Sequence, residues 1–209
     1  MAIKAVLFDF GGVFTLSPFE AVRAAAAAKG MPGDEIVQLC FGPYDRDTDH
    51  AWHRMERGEI TLAAAREEII KLAQGAGHDV DPFVLLAGTG GEDSQRDEMV
   101  ARALAIRARG YRTAVVTNNV KEYGEGWKRM VPVDDLFEVI IDSSAVGVRK
   151  PNPRIFQLTL DALGGMPPDE AVLVDDALGN ITAAKALGMH AVLVGEDRLA
   201  AMDQLEEML

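Results

Sequence analysis

Five short apolar runs, four of them leading into a helical pattern, restrict this chain more than any other feature. The spacing predicts strands at about Lys4–Phe8, Arg112–Thr117, Glu138–Ile141, Ala171–Val174 and His190–Val194. Helices are expected at about Gln95–Arg109, Pro153–Leu163, Gly179–Leu187 and Arg198–Met208. Strands this uniformly apolar need cover on both faces, so the fold class is α/β with a doubly wound parallel sheet. Between the first two strands lie about a hundred residues without a strand signal. Helical patterns near Phe19–Lys29, Asp34–Phe41, Asp47–Arg57, Leu62–Ala73 and Pro82–Leu86 fill this stretch and predict an inserted helical cap. The expected division is a core of residues 1–16 and 95–209 and a cap of residues 17–94. Ser17-Pro18 and the glycine-rich stretch Gly88 to Ser94 are its candidate hinges.

Two of the strands end in acids. Asp9 closes the run in KAVLFDFGGVF, and Asp175 with Asp176 closes AVLVDDALGN. Packing alone does not end an apolar run in a carboxylate, because the group must be desolvated unless it holds a cation or does chemistry. Ligands of open parallel sheets bind beyond the carboxyl ends of the strands, so adjacent strands would bring these acids to one crevice. Mg²⁺ suits such a crevice, being a hard cation held by one or two carboxylates, waters and a substrate phosphate.

The bulk numbers narrow the partners. A net charge of −12 with no basic stripe argues against nucleic acid and anionic membrane surfaces. An anionic substrate then requires local positive charge. Cys40 is the only cysteine, which excludes an intramolecular disulfide and predicts a reducing compartment. The N-terminus runs directly into strand residues, and no stretch of 18 apolar residues occurs, so the expectation is a cytoplasmic chain.

Four motifs, in order, carry a resemblance over nearly the whole chain: FDFGGV with Asp9, VVTNN with Thr117 and Asn118, RKPNPRIF with Lys150, and VLVDDALGN with Asp176. Together they resemble the haloacid dehalogenase-like superfamily, whose core is a Rossmann-like sheet. The insertion after the first motif looks like the family's first cap type. The Asp175-Asp176 pair and Val-Gly-x-x-Lys-Pro are similar to the phosphatase-like group containing the N-terminal domain of mammalian soluble epoxide hydrolase. The resemblance implies Asp9 as the nucleophile, forming an aspartyl-phosphate that water hydrolyses. It implies phosphate donors at Thr117 and the Asn118 amide, and a fixed positive charge at Lys150. Mg²⁺ would rest on Asp9, Asp176 and a backbone carbonyl, that of Gly11. Asn180 would orient Asp176 or a metal-bound water, and Asp175 would stand behind the metal ligands as a partner of Lys150. The substrate implied is a small phosphorylated metabolite.

Gly11 departs from the pattern. Most phosphatases of this family carry a second Asp at that position as general acid and base, a role glycine cannot fill. Three readings follow: a phosphatase for esters whose leaving group needs little protonation, such as acyl or sugar 1-phosphates, an enzyme with a substitute acid from the cap, or a catalytically weak binding or regulatory protein. Family members that cleave carbon–halogen or phosphorus–carbon bonds also lack the second Asp, but the acid pair argues for metal. In the cap, Asp45, Asp47, Asp49 and Glu56 superficially follow a calcium-loop spacing, yet His50 stands where the loop needs glycine. His50 and His53 are candidates for the missing acid, and Tyr44, His53, Arg54 and Trp127 for substrate contact.

Overall fold

A computed structural model describes residues 2–87 and 93–209. The Gly88–Gly91 hinge and Glu92 lie outside the described residues. Strand β1 (Ala5–Phe8) is followed by five helices, α1 (Pro18–Ala28), α2 (Gly33–Phe41), α3 (Ala51–Glu56), α4 (Leu62–Gly75) and α5 (Pro82–Ala87). The chain continues through α6 (Arg96–Ala108), β2 (Arg112–Thr117), α7 (Val133–Leu136), β3 (Val139–Asp142), α8 (Ser143–Val146), α9 (Pro153–Ala162), β4 (Ala171–Asp175), α10 (Leu178–Ala186), β5 (His190–Leu193) and α11 (Arg198–Met208). All five strands pair in parallel, in the order β3-β2-β1-β4-β5. The doubly wound α/β sheet expected from the apolar runs is therefore present.

Period-two alternation along β1 divides the core. Val6 and Phe8 face a layer with Met99, Ile106, Met202 and Leu205 from α6 and α11, whereas Ala5 and Leu7 face Ile155, Phe156, Leu160 and Ile181 from α9 and α10. Both faces are covered, as strands apolar on both sides require. A third apolar cluster belongs to the long insertion, where Val22, Ile36, Phe41, Trp52, Met55 and Ile69 are buried together with Val120 from the loop after β2. Among the described residues, no helix is long and apolar enough to cross a membrane.

Helix limits follow local chemistry. Asn152 accepts a hydrogen bond from the Arg154 amide with Pro153 at the first helical position, fixing the start of α9. Asp197 accepts from the Leu199 and Ala200 amides at the start of α11. The helix expected over Asp47–Arg57 is shorter. His50 caps it by accepting from the Trp52 amide, while Asp47 and Thr48 turn back to bind the Arg57 guanidinium. The sequence reading missed α7 and α8, because one turn of helix carries no periodicity to detect. Asp142 starts α8 by accepting from the Ser144 amide, and Gly147 ends it with φ 71° in the left-handed region.

Candidate active site

The sheet order reverses between β1 and β4, and the two strands end side by side with Phe8 opposite Val174. Asp9 directly follows β1, its amide donating to the Val174 carbonyl at 2.8 Å, which extends the ladder by one bond and places the carboxylate at the crevice. Asp175 is the last residue of β4 and Asp176 the next. One oxygen from each of Asp9, Asp175 and Asp176 lies within 4.8 Å of the others. Glycine is required beside them: Gly12 has φ 74°, and a Cβ there would sit 2.1 Å from Asp176 Oδ2.

Lys150 supplies the local positive charge. Its Nζ is fully buried, 2.8 Å from Asp9 Oδ1 and 2.7 Å from Asp175 Oδ2. Burial works against the ammonium, but Asp175 and Asp9 outweigh it and hold its pKa above the ordinary value. The loop bearing Lys150 is tied to the end of β2 by a reciprocal pair: Asn118 Nδ2 donates to the Lys150 carbonyl at 3.1 Å, and the Lys150 amide donates to Asn118 Oδ1 at 2.8 Å. The Asn118 side chain thus sets the position of the lysine, a role the motif reading had not given it. Thr117, the last residue of β2, is buried beside them and lines the same chamber as Asp9.

Three carboxylates share one ammonium, and the imbalance appears in their proton affinity. Burial is the main reason the Asp9 carboxyl is pushed up to about 8, Lys150 opposing it while Asp175 and Asp176 add to it. Burial and the Asp175 charge push Asp176 up to about 7, against a hydrogen bond from Ser17. Ser17 Oγ donates to Asp176 Oδ2 at 2.8 Å and was missed as a site residue, since its place before Pro18 suggested only a hinge. Asn180 departs from expectation in its partner. Its Nδ2 donates to Asp175 at 2.9 and 3.0 Å, not to Asp176, because one helical turn returns the side chain to the buried acid. Asp175, fully buried, also accepts from the Ala177 amide. It pairs with Lys150 and is the most buried of the three acids.

A chamber of about 430 Å³ opens over Asp9 and takes in Gly11, Thr117, Asn118, Asp176 and Asn180, with Tyr44, Trp52 and Glu56 from the insertion and Trp127 from the loop after β2. Two expected substrate contacts, Tyr44 and Trp127, line it. The other two, His53 and Arg54, do not: Arg54 pairs with Glu68 on the surface, and His53 is buried with Nδ1 2.9 Å from Thr48 Oγ1. Burial, then the charges of Arg149, His50 and Arg57, lower the His53 pKa to about 3, so it is neutral and holds no proton to give at physiological pH. Burial likewise lowers the pKa of His50, and neither histidine lines the chamber. Neither supplies the missing acid. The calcium-loop spacing also dissolves, with Asp47 paired to Arg57 and Glu56 turned into a buried network.

That network joins the insertion to the core, and no local sequence signal announced it. Glu56 accepts from Tyr44 Oη at 2.6 Å, Trp52 Nε1 at 2.8 Å and Arg149 Nε at 2.7 Å, while its carbonyl accepts from Ser143 Oγ at 2.6 Å. Ser143 Oγ in turn accepts from the Asn119 amide. The Arg149 guanidinium lies over the Tyr44 ring, 4.7 Å from its centroid, and adjoins Lys150 in the chain. Removing one partner of a buried ion pair leaves the other charge uncompensated, at a cost of about 3–5 kcal/mol. Glu56→Gln is therefore expected to lower the melting temperature by roughly 6–20 °C. A calorimetric melting temperature within about 2 °C of wild type would show that the pair is not a structural tie.

A family model for haloacid dehalogenase-like hydrolases matches residues 3–188. Acyl-CoA dehydrogenase family member 10 of Mus musculus is 33% identical over 99% of this chain, and bifunctional epoxide hydrolase 2 of Sus scrofa is 28% identical over all of it. The chain spans only 19% and 39% of the lengths of these two proteins. A phosphatase of Mycobacterium tuberculosis is 28% identical, with 93% of this chain and 88% of that protein covered. Among solved structures, a family enzyme of Bacteroides thetaiotaomicron in complex with magnesium and inorganic phosphate superposes with a TM-score of 0.62 at 23% identity, covering 94% of this chain and 97% of the other. With the ordered motifs, the parallel sheet and the strand-end acids already in place, these likenesses decide the family: the chain belongs to the haloacid dehalogenase-like hydrolases.

Proposed function

We propose that the chain is a Mg²⁺-dependent phosphohydrolase acting on a small phosphorylated compound. The observation that carries this reading is the group of Asp9, Asp175 and Asp176 within 4.8 Å of one another, with the buried Lys150 ammonium against two of them. One ammonium does not balance three desolvated carboxylates, and an all-oxygen donor set fits a hard divalent cation. Asp9, Asp176 and the Gly11 carbonyl would hold Mg²⁺, which when bound would neutralise charge on the phosphoryl oxygens. The likeness to a phosphatase over 93% of this chain, and the magnesium and phosphate held by a structural neighbour, support the same reading.

The chain's own groups then have definite tasks. The Asp9 carboxylate attacks phosphorus in line; an aspartyl-phosphate forms as the bond from phosphorus to the leaving oxygen breaks. Water attacks the aspartyl-phosphate, releasing phosphate and regenerating Asp9. Thr117 and the Asn118 amide donate to the phosphoryl oxygens, and Lys150 offsets the spreading negative charge. Asp175, fixed by Asn180 and the Ala177 amide, holds Lys150 from behind. The helical insertion, residues 17–94, serves as a cap that excludes water and supplies the wall facing the substrate. A screen of phosphorylated metabolites with and without Mg²⁺ tests the reading: no Mg²⁺-dependent phosphate release from any of them would refute it.

One observation favours a second reading. Gly11 has no side chain to protonate a leaving group, so a protein that holds phosphorylated ligands with slow turnover is the alternative; saturable phosphate binding without turnover would select it.

The metal also predicts a pH effect. A carboxyl whose pKa is raised by folding binds more protons folded than unfolded, so its contribution to stability is fully present below the unfolded value and is lost progressively as pH rises to the folded one. For Asp176 and Asp9 that window runs from the ordinary value of 3.8 up to about 7 and about 8. The metal-free protein should lose stability as pH climbs through this window. Millimolar Mg²⁺ should therefore raise the melting temperature more at about pH 9 than at about pH 6, where protons compete for the same oxygens. Scanning calorimetry with and without Mg²⁺ at both values measures this, and an equal or larger rise at the lower pH would contradict it.

A further inference from the structure

The chamber above Asp9 has two ends of different character. At the floor, Asp9, Thr117, Asn118, Asp176 and Asn180 present the polar atoms already assigned to phosphate and metal. Higher up, the walls are rings and apolar side chains, among them Phe10, Phe19, Phe41, Trp52, Trp127 and Met130. They are braced edge to face: Phe10 against Trp127 at 4.8 Å, Phe19 against Phe41 at 5.0 Å, and Phe41 against Trp52 at 4.7 Å between centroids. One wall comes from the insertion and the other from the loops after β1 and β2.

Most of the polar side chains of this upper part are already engaged with the protein. Tyr44 Oη and Trp52 Nε1 both donate to Glu56, whose second oxygen accepts from Arg149. Asn119 Nδ2 donates to Asp142 at 2.6 Å, Thr15 Oγ1 donates to the Leu16 carbonyl at 3.2 Å, and Arg96 Nε donates to the Phe14 carbonyl beside Asp93. Among the described residues, Tyr123 and Trp127 are the chamber's remaining polar side chains above the floor, and neither the Tyr123 hydroxyl nor the buried Trp127 Nε1 has a hydrogen-bond partner. One hydroxyl and one indole N–H do not match a sugar or another polyol, each of whose hydroxyls needs a partner when it leaves water. Rings braced at fixed angles match an apolar group of similar size.

From this we infer that the site takes phosphate esters whose organic part is a small aromatic or aliphatic group without hydroxyls, held between the Phe10–Trp127 wall and the insertion's rings, and discriminates against sugar and polyol phosphates. The inference rests on the phosphohydrolase reading for the placement of the phosphate at Asp9. It excludes sugar phosphates, which the motifs alone had left open.

Phosphonates, whose carbon–phosphorus bond this chemistry would not cleave, separate binding from turnover. The full chain with Mg²⁺ is titrated calorimetrically with benzylphosphonate, 2,3-dihydroxypropylphosphonate and inorganic phosphate. Benzylphosphonate should bind at least about tenfold more tightly than the dihydroxypropyl compound, as expected for burying one ring. Trp127→Ala and Met130→Gln should each narrow that ratio, with circular dichroism and melting temperature confirming the fold. Equal affinities, or tighter binding of the hydroxylated phosphonate, overturn the inference. If inorganic phosphate itself does not bind, the parent reading falls and the inference with it. Phenyl phosphate and glycerol phosphate are assayed in parallel: a benzyl preference without turnover of either ester leaves the inference standing and refutes only the hydrolase assignment.

Discussion

Asp9→Asn is expected to reduce kcat to below about 1% of wild type while the protein stays folded. The amide keeps the shape of the carboxylate, and its oxygen can still accept the hydrogen bonds that Asp9 Oδ1 takes from the Phe10 amide at 2.6 Å and from Lys150 at 2.8 Å. What disappears is the nucleophile. Lys150 retains Asp175 as an ion partner, so no ammonium is left buried alone. Removing one of three clustered acids also relieves the repulsion and burial that push Asp9 up to about 8. The metal-free variant should therefore melt at or above the wild-type temperature, with less gain from Mg²⁺. Turnover above about 1% in a folded variant would remove Asp9 from the nucleophile's place.

The parts of this molecule that a linear reading can reach are those whose cause is local. An apolar run ending in an acid is such a signal, and it located Asp9, Asp175 and Asp176 on neighbouring strands because a desolvated carboxylate needs a reason to be there. Amphipathic periodicity located the long helices, and α11 spans the expected Arg198–Met208. Contacts between distant segments have no such trace. Nothing around Glu56 distinguishes it from a surface glutamate, yet it is 2% exposed and gathers Tyr44, Trp52 and Arg149. Arg149 entered only as a letter of the RKPNPRIF motif. Ser17 read as a hinge residue and proved a donor to Asp176, 159 positions away. Spacing put Asn180 near the acid pair and the expected partner was Asp176 or a metal-bound water; in the fold its side chain reaches Asp175. The histidines of the insertion failed as acids for a related reason, since a sequence shows that a histidine is present but not that burial among cations keeps it neutral.

Gly11→Asp should speed turnover of poor leaving groups by roughly 10- to 1000-fold, the usual contribution of a positioned acid and base. Without that carboxyl, departure depends on the leaving group's own acidity, so the wild type should cleave activated phosphates far better than alkyl monoesters. Water attack on the aspartyl-phosphate should also lack a base, and a burst of product should mark the accumulated intermediate. The backbone tolerates the change. Gly11 is not among the glycines with positive φ, and a Cβ there would meet only Pro18 Cδ, at 3.9 Å. Gly12 is the contrasting control: with φ 74° and Asp176 Oδ2 at 2.1 Å from the position of a Cβ, Gly12→Ala should disrupt the acid cluster and Mg²⁺ binding. In Gly11→Asp the slope of log kcat/KM against leaving-group acidity should flatten, because the new carboxyl protonates the departing oxygen. Binding of Mg²⁺ and benzylphosphonate is measured beside the kinetics, to separate a damaged loop from a misassigned role. A variant that binds both normally but keeps the wild-type slope, in a protein that already cleaves alkyl esters as readily as acyl phosphates, would show that another group delivers the proton.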